Sequence, residues 1–344
     1  MSRPPLPLTA LAWTPDLASV LAEASAAIGR LDARICASFC VPAWNLRASW
    51  MGYARALQLQ RYEIEEVDII SRECGLQLAG RPRLETAGDP FSALEPWRIR
   101  LAENDGRHWR EDLPFSFDPP QGWAEAPALA RALALLDTWA RADRTIAPWL
   151  AFPVVLYRMG ITASALPCLV AGDAGQRFAL DPRPALLKRL LKQLRRSADE
   201  GLVRLDRLED TVQRSAAAIS GERRPGKLAD LGRVALTRPC LAARSLAPLL
   251  DLTISGAGKL LERARTLGIL VEVSGRGTWR SYVTPDIAVS LGLAPPPRGR
   301  PRLPPAPSPA LDSVLAAFDA EMADFDARVG PVGAGQTSGT ENIA

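Results

Sequence analysis

The sequence predicts a mainly α protein, in which a helical N-terminal domain precedes a winged helix-turn-helix of three helices and a β-hairpin wing. Three observations predict it. Apolar residues recur at intervals of three and four through most of residues 14–220, the period of a helix with one buried face. Strand-like alternation is almost absent before residue 268. Between residues 227 and 285, three short helical stripes, a glycine and a two-stranded hairpin pattern follow in that order.

The first helix starts at Thr14-Pro15-Asp16, an N-cap followed by proline at the first helical position. Its stripe is Leu17, Val20, Leu21, Ala24, Ile28, Leu31 and Ile35. A second stretch begins at Pro42 or Asn45, runs to Leu59, and continues or restarts through Tyr62 to Cys74 before Gly75. Residues 104–123 hold Asn104, Gly106, Pro114, Pro119, Pro120 and Gly122 and read as irregular loop. Helical pattern returns over residues 126–142 and 148–159, and residues 172–181 read as loop. Pro184 then opens a long helical region to about Ser220, with Gly201 as its candidate break.

The domain boundaries follow composition. Residues 1–182 are the helical domain, 183–220 connecting helix, and 221–290 the winged helix-turn-helix, entered through the basic segment Gly221-Glu222-Arg223-Arg224-Pro225-Gly226. Residues 291–310 are proline-rich and read as a stiff extended tether. Residues 311–329 form an acidic amphipathic helix with Leu311, Leu315, Phe318, Met322 and Phe325 on one stripe, and residues 330–344 read as a disordered tail.

Several function classes are disfavoured. No run of 18 uncharged apolar residues exists to span a bilayer, and the N-terminus lacks the apolar core of a signal peptide, so a cytoplasmic protein with no membrane partner is expected. The 5 cysteines are odd in number and scattered, as reduced thiols are. Cys36 and Cys40 could share a helix face, but the single histidine, His108, leaves a zinc site short of ligands and a nucleophilic triad without an evident base. Neither metal nor cofactor is expected. Glu63, Glu65, Glu66 and Asp68 crowd six residues and are the candidate carboxylates of a residual enzyme, although a solvated helix face is the plainer account of them.

Charge is segregated along the chain. Residues 183–302 carry 23 Lys and Arg against 11 Asp and Glu, a net +12, whereas residues 1–182 balance at −3 and residues 303–344 at −5. A basic block between acidic ones is the electrostatic footprint of a nucleic-acid module.

Within that block, Leu228, Leu231, Val234 and Leu236 mark a first helix ended by Arg238-Pro239, and a second runs from about Ala242 to Leu250. Asp251-Leu252 makes the turn and Thr253 caps a third helix that buries Ala257, Leu260 or Leu261, Ala264 and Leu267. Gly268 closes it with a residue free to take positive φ. Residues 269–273 and 278–283 alternate as strands around Ser274-Gly275-Arg276-Gly277. In this arrangement the third helix enters the major groove of double-stranded DNA, presenting Ile254, Ser255, Gly256, Gly258, Lys259 and Glu262 or Arg263. Ser255 and Lys259 reach base edges or phosphate, and Arg263, one turn on, reaches phosphate. Arg276 and Arg280, at and beside the wing tip, suit the backbone or minor groove, while Trp279 is expected to pack the wing onto the body, with a place against sugar as the alternative.

Three stretches carry a resemblance: Ala27-Ile28-Gly29-Arg30-Leu31-Asp32-Ala33-Arg34, residues 56–70, and residues 267–280 with Ser274-Gly275-Arg276-Gly277-Thr278-Trp279-Arg280. Over residues 8–286 the chain resembles an alphaproteobacterial family, often plasmid-associated in rhizobia, that joins a helical domain of unknown function to a C-terminal helix-turn-helix. The resemblance implies DNA binding. More remotely, the layout is similar to Fic-type AMP-transferases with a C-terminal winged helix, whose active site needs a His-Pro-Phe opening before a Gly-Asn-Gly-Arg phosphate loop. Here the nearest string is Asn104-Asp105-Gly106-Arg107-His108, with the histidine after the loop, and the family's inhibitory Glu-Gly would fall on Gln60-Arg61. The resemblance thus implies the scaffold without the catalysis. The expected function is sequence-specific binding of double-stranded DNA by a homodimeric transcriptional regulator. The alternatives are an interaction adaptor whose winged helix has lost its DNA contacts, and a residual Fic-like enzyme.

Overall fold

The computed structural model describes residues 13–77, 88–103, 106–173, 183–274 and 280–295, with further helical positions at 313, 316, 317 and 320. Two compact units divide the chain, Met1–Pro296 and Pro297–Ala344. In the second unit the four described positions are helical and exposed; the rest of the expected acidic helix, and the tail, lie outside the described residues, as does the tether from residue 296 on.

The first unit is mainly helical. Its N-terminal body comprises α1 (Pro15–Ala37), α2 (Val41–Leu59), α3 (Glu66–Glu73), α4 (Leu94–Ala102), α5 (Ala128–Ala142), α6 (Ala147–Arg158) and α7 (Arg183–Ser220). Helix α1 starts where local chemistry places it: Thr14 Oγ1 accepts from the Leu17 amide at 3.2 Å, and proline occupies the first turn. The expected stripe is buried apart from half-buried Leu21, with Ala27 joining it.

Helices α1 and α7 run parallel and are laced by Lys188–Asp16 at 2.5 Å, Arg195–Glu23, Arg30–Asp199 at 3.4 Å and Arg34–Asp206 at 3.0 Å. Gly201 does not break α7, which is continuous over 38 residues. The glycine permits close approach instead, since a Cβ there would meet Cys168 Sγ at 2.9 Å and Leu31 Cδ2 at 3.1 Å. Trp44 uses the same opening, its Nε1 donating to the Gly201 carbonyl at 2.9 Å.

Elsewhere the body departs from the periodicity in detail. Helix α2 stops at Leu59, Arg61 takes a left-handed φ of 65°, and the chain restarts as α3, so the continuous alternative for residues 45–74 is not adopted. The expected loop at 104–123 contains a 3-10 turn, Trp109–Asp112. Trp109, Phe117 and Trp123 form an aromatic cluster over it with ring centroids 5.1–5.8 Å apart.

The C-terminal part comprises α8 (Leu228–Thr237), β1 (Cys240–Ala242), α9 (Ala243–Leu246), α10 (Ile254–Thr266), β2 (Val271–Glu272), β3 (Ser281–Val283) and α11 (Pro285–Ser290). The sheet is antiparallel in the order β1-β3-β2, with Leu241 opposite Tyr282 and Val271 opposite Val283. Strand β1 lies in the stretch before residue 268 where strand-like alternation is almost absent, because three residues are too few to show it. Helix α9 is shorter than the expected 242–250. Pro248 has no amide to donate to the carbonyl four residues back, so regular helix stops before it.

Leu228, Leu231, Leu241, Leu246, Ala257, Leu261, Ala264 and Tyr282 pack into a small core of their own. The opposite side belongs to the body: Val283, Ile287, Ala288 and Leu291 are buried in the large core of α1–α7. A buried ion pair joins the two parts, Arg47 of α2 with Asp286 of α11. No helix among the described residues is long and apolar enough to cross a membrane.

Candidate nucleic-acid interface

Helix α10 is aimed by its two ends. At its start, Asp251 adopts a φ of 52° to reverse the chain, and Thr253 Oγ1 accepts from the Gly256 amide at 3.1 Å. At its end, Gly268 takes a φ of 71° and the Ile269 amide returns to the Ala264 carbonyl at 2.9 Å. With Ala257, Leu261 and Ala264 buried, the opposite face turns outward: Ser255 and Lys259 are exposed, and Ile254 is 57% exposed.

Gly256 and Gly258 are half-buried, and their surroundings differ. A Cβ at Gly256 would press on the Thr253 cap oxygen at 3.2 Å, whereas one at Gly258 would meet only the Ala243 methyl at 3.9 Å. Internal packing therefore accounts for the first glycine and not for the second.

Of the Glu262 and Arg263 alternatives, both are engaged within the protein. Arg263 turns to the α7–α8 connection, pairing with Glu222 and donating to the Arg224 carbonyl at 2.7 Å. Glu262 accepts from Arg265 at 2.6 Å, from the Tyr282 hydroxyl at 3.2 Å and from Arg280 at 3.3 Å. The hydrogen bond from Arg265 is the main cause holding its carboxyl below the ordinary range. Glu262 thereby fixes Arg280 beside α10. Arg276 lies outside the described residues, as do Gly275, Gly277, Thr278 and Trp279.

Between α9, α10 and β3 lies a groove of about 480 Å³, lined by Ala242, Arg244, Ile254, Gly258, Arg280 and Tyr282. Arg244 and Arg280 bring positive charge to its lining, and Glu262, which accepts from Arg280, belongs to the lining as well. Arg244 was not legible from the pattern, because its position depends on β1.

The competing chemistry is dispersed. Asp68 caps α3 by accepting from the Glu65 amide at 2.8 Å, Glu66 pairs with Arg204 at 2.6 Å, and Glu63 is exposed. His108 caps the 3-10 turn, its Nδ1 accepting from the Arg110 amide at 3.3 Å. Among the described residues no group of three metal-ligating side chains converges. No protein-family model matches the chain, and no curated protein matches it.

Proposed function

We propose that residues 227–285 are a winged helix that binds double-stranded DNA, with α10 as its recognition helix, and that the protein regulates transcription in the cytoplasm as a homodimer. The observation that carries this reading is the outward face of α10. A helix that buries Ala257, Leu261 and Ala264 in its own core presents Ser255, Lys259 and the half-buried Gly258 beside a groove lined by Arg244 and Arg280. Short side chains let a polyanion approach the backbone, and the flanking guanidiniums meet its phosphates. The order of helices and the β1-β3-β2 sheet support it, as does the +12 balance of residues 183–302. Dimerisation fits the half-site that one such module covers. The reading keeps the likeness to the alphaproteobacterial helix-turn-helix family and assigns the body no catalysis and no cofactor.

The test uses the full chain, because Val283, Ile287 and Leu291 are buried against the body and a fragment would expose them. Retardation of random duplex DNA at low salt, falling steeply as salt is added, is the expected result. No retardation of any duplex overturns the reading in favour of an interaction adaptor. Incubation with labelled ATP and magnesium is expected to leave the protein and candidate targets unlabelled; stoichiometric labelling would restore the Fic-like enzyme.

A further inference from the structure

We propose that Cys74 and Cys240 are a redox-active pair that closes to a disulfide under peroxide, fastening the end of α3 in the body to β1 of the C-terminal module. The pairing stands on its own geometry, whether or not the module binds DNA.

The two residues lie 166 positions apart in sequence and meet where the two parts of the first unit pack together. The Cys240 thiol donates to the Cys74 carbonyl at 3.3 Å, which sets the two residues against each other. Both are half-buried. Their backbones are held from independent directions. The Cys74 amide donates to the Ile70 carbonyl at 2.8 Å, closing α3, and Cys240 is registered opposite Val283 in the sheet.

The other cysteines are placed differently. Cys36 is exposed on α1, while Cys40 and Cys168 are buried, which pushes their thiols up to about 11 and about 12. Those two are poor nucleophiles at neutral pH. Within the pair the interaction of the two side chains works in opposite senses. It raises the Cys74 thiol and lowers that of Cys240, which marks Cys240 as the attacking sulfur.

The chemistry closes without a cofactor. The Cys240 thiol gives up its proton, its sulfur attacks one oxygen of hydrogen peroxide, the O–O bond breaks, and the hydroxide released takes that proton, leaving Cys240 sulfenic acid and water. Oxidation of Cys240 removes the thiol interaction that is the first cause of the raised Cys74 thiol; Cys74 then gives up its proton, its sulfur attacks the sulfenic sulfur, and the departing hydroxide takes that proton as a second water. Two thiols are oxidised, one peroxide is reduced to two waters, and a thiol reductant reverses the change. A linkage joining positions so distant closes a long loop and restricts the unfolded chain strongly. It also fixes β1, and the α9 that follows it, relative to α3.

Full-length protein carrying Cys36→Ser, which removes the exposed thiol able to join two copies, is treated with a small excess of hydrogen peroxide. Remaining thiols are blocked, and the protein is digested without reductant for mass spectrometry. The expected product is one cross-linked peptide pair joining Cys74 to Cys240, two hydrogens lighter than its parts and split by dithiothreitol. In Cys74→Ser, Cys240 should accumulate as a sulfenic acid trapped by dimedone. Free thiols at both positions, separate overoxidation without a linkage, or coupling of Cys240 to a different cysteine would each overturn the assignment. Should Cys74→Ser fail to fold, the peptide map of the parent protein still decides.

Discussion

Arg47 on α2 and Asp286 in the first turn of α11 form an ion pair whose side chains are 1% and 8% exposed. The remaining guanidinium donors reach the Ala43 carbonyl at 3.0 Å, the Leu236 carbonyl at 2.9 Å and Thr284 Oγ1 at 3.2 Å. One side chain thus ties the body to the end of α8 and to the start of α11. A satisfied buried pair adds little over an apolar one, but removing a single partner strands a charge and costs about 3–5 kcal/mol. Arg47→Ala and Asp286→Ala are each expected to lose about that much in urea unfolding. The double variant Arg47→Met with Asp286→Leu should lose clearly less than the two losses added. Simple additivity would show that the two residues act separately.

Alkaline pH tests the buried thiols. Burial is the main cause raising Cys40 from an ordinary 9.0 to about 11. Below pH 9 the thiol is protonated in both folded and unfolded chains, and its contribution is fully present. Between pH 9 and 11 the unfolded chain loses the proton first, so stability falls as pH rises, by up to about 2 kcal/mol. Cys168, raised to about 12, and Tyr53, raised from 10.0 to about 12, act in the same direction. Denaturant midpoints measured across this range should fall more shallowly in Cys40→Ala than in the parent. An unchanged slope would show that Cys40 does not titrate differently in the two states.

What the sequence revealed was what local chemistry decides. Thr14-Pro15 and Thr253 act within one turn, and Gly268 needs only its own φ, so those helix ends were placed correctly. Ser255 and Lys259 were found outward because burial of Ala257, Leu261 and Ala264 fixes the face. What escaped depends on distant partners. Gly201 looked like a break because Trp44 and Leu31 are far away in sequence. Arg263 looked free because Glu222 precedes it by 41 residues. Arg244 and the groove beside α10 depend on a three-residue strand with no period of its own.

If α10 and the wing divide their labour, Lys259 and Arg280 should fail differently. Lys259 stands exposed in the second turn of α10, whereas Arg280 is held at its flank by Glu262. A base contact discriminates by about 1–3 kcal/mol, while a phosphate contact strengthens all sequences alike and adds about one unit to the salt slope. Lys259→Ala is therefore expected to narrow the gap between preferred and random duplex, with Ser255→Ala doing so more weakly. Arg280→Ala should weaken both duplexes equally and flatten the salt dependence, as should Arg276→Ala. Loss of preference in Arg280→Ala with none in Lys259→Ala would exchange the two roles.

Gly258 separates the DNA-binding reading from the adaptor reading in one substitution. Glycine inside a helix costs about 1 kcal/mol relative to alanine. A methyl at this position meets only Ala243 at 3.9 Å, so Gly258→Ala should fold more stably by about that amount, seen as a higher denaturant midpoint. The same methyl would enter the lining of the groove, where a DNA backbone seated against α10 would meet it. Duplex affinity should then fall by about tenfold or more, which is about 1.4 kcal/mol, in a protein that has become more stable. Gly256→Ala is the control: its methyl would crowd the Thr253 oxygen at 3.2 Å, so its stability gain should be smaller or absent. A Gly258→Ala protein that is stabilised and binds duplex DNA unchanged would show that nothing approaches this backbone. The glycine would then be only a tolerated weakness of α10, and a surface that does not seat DNA there would fit the adaptor better.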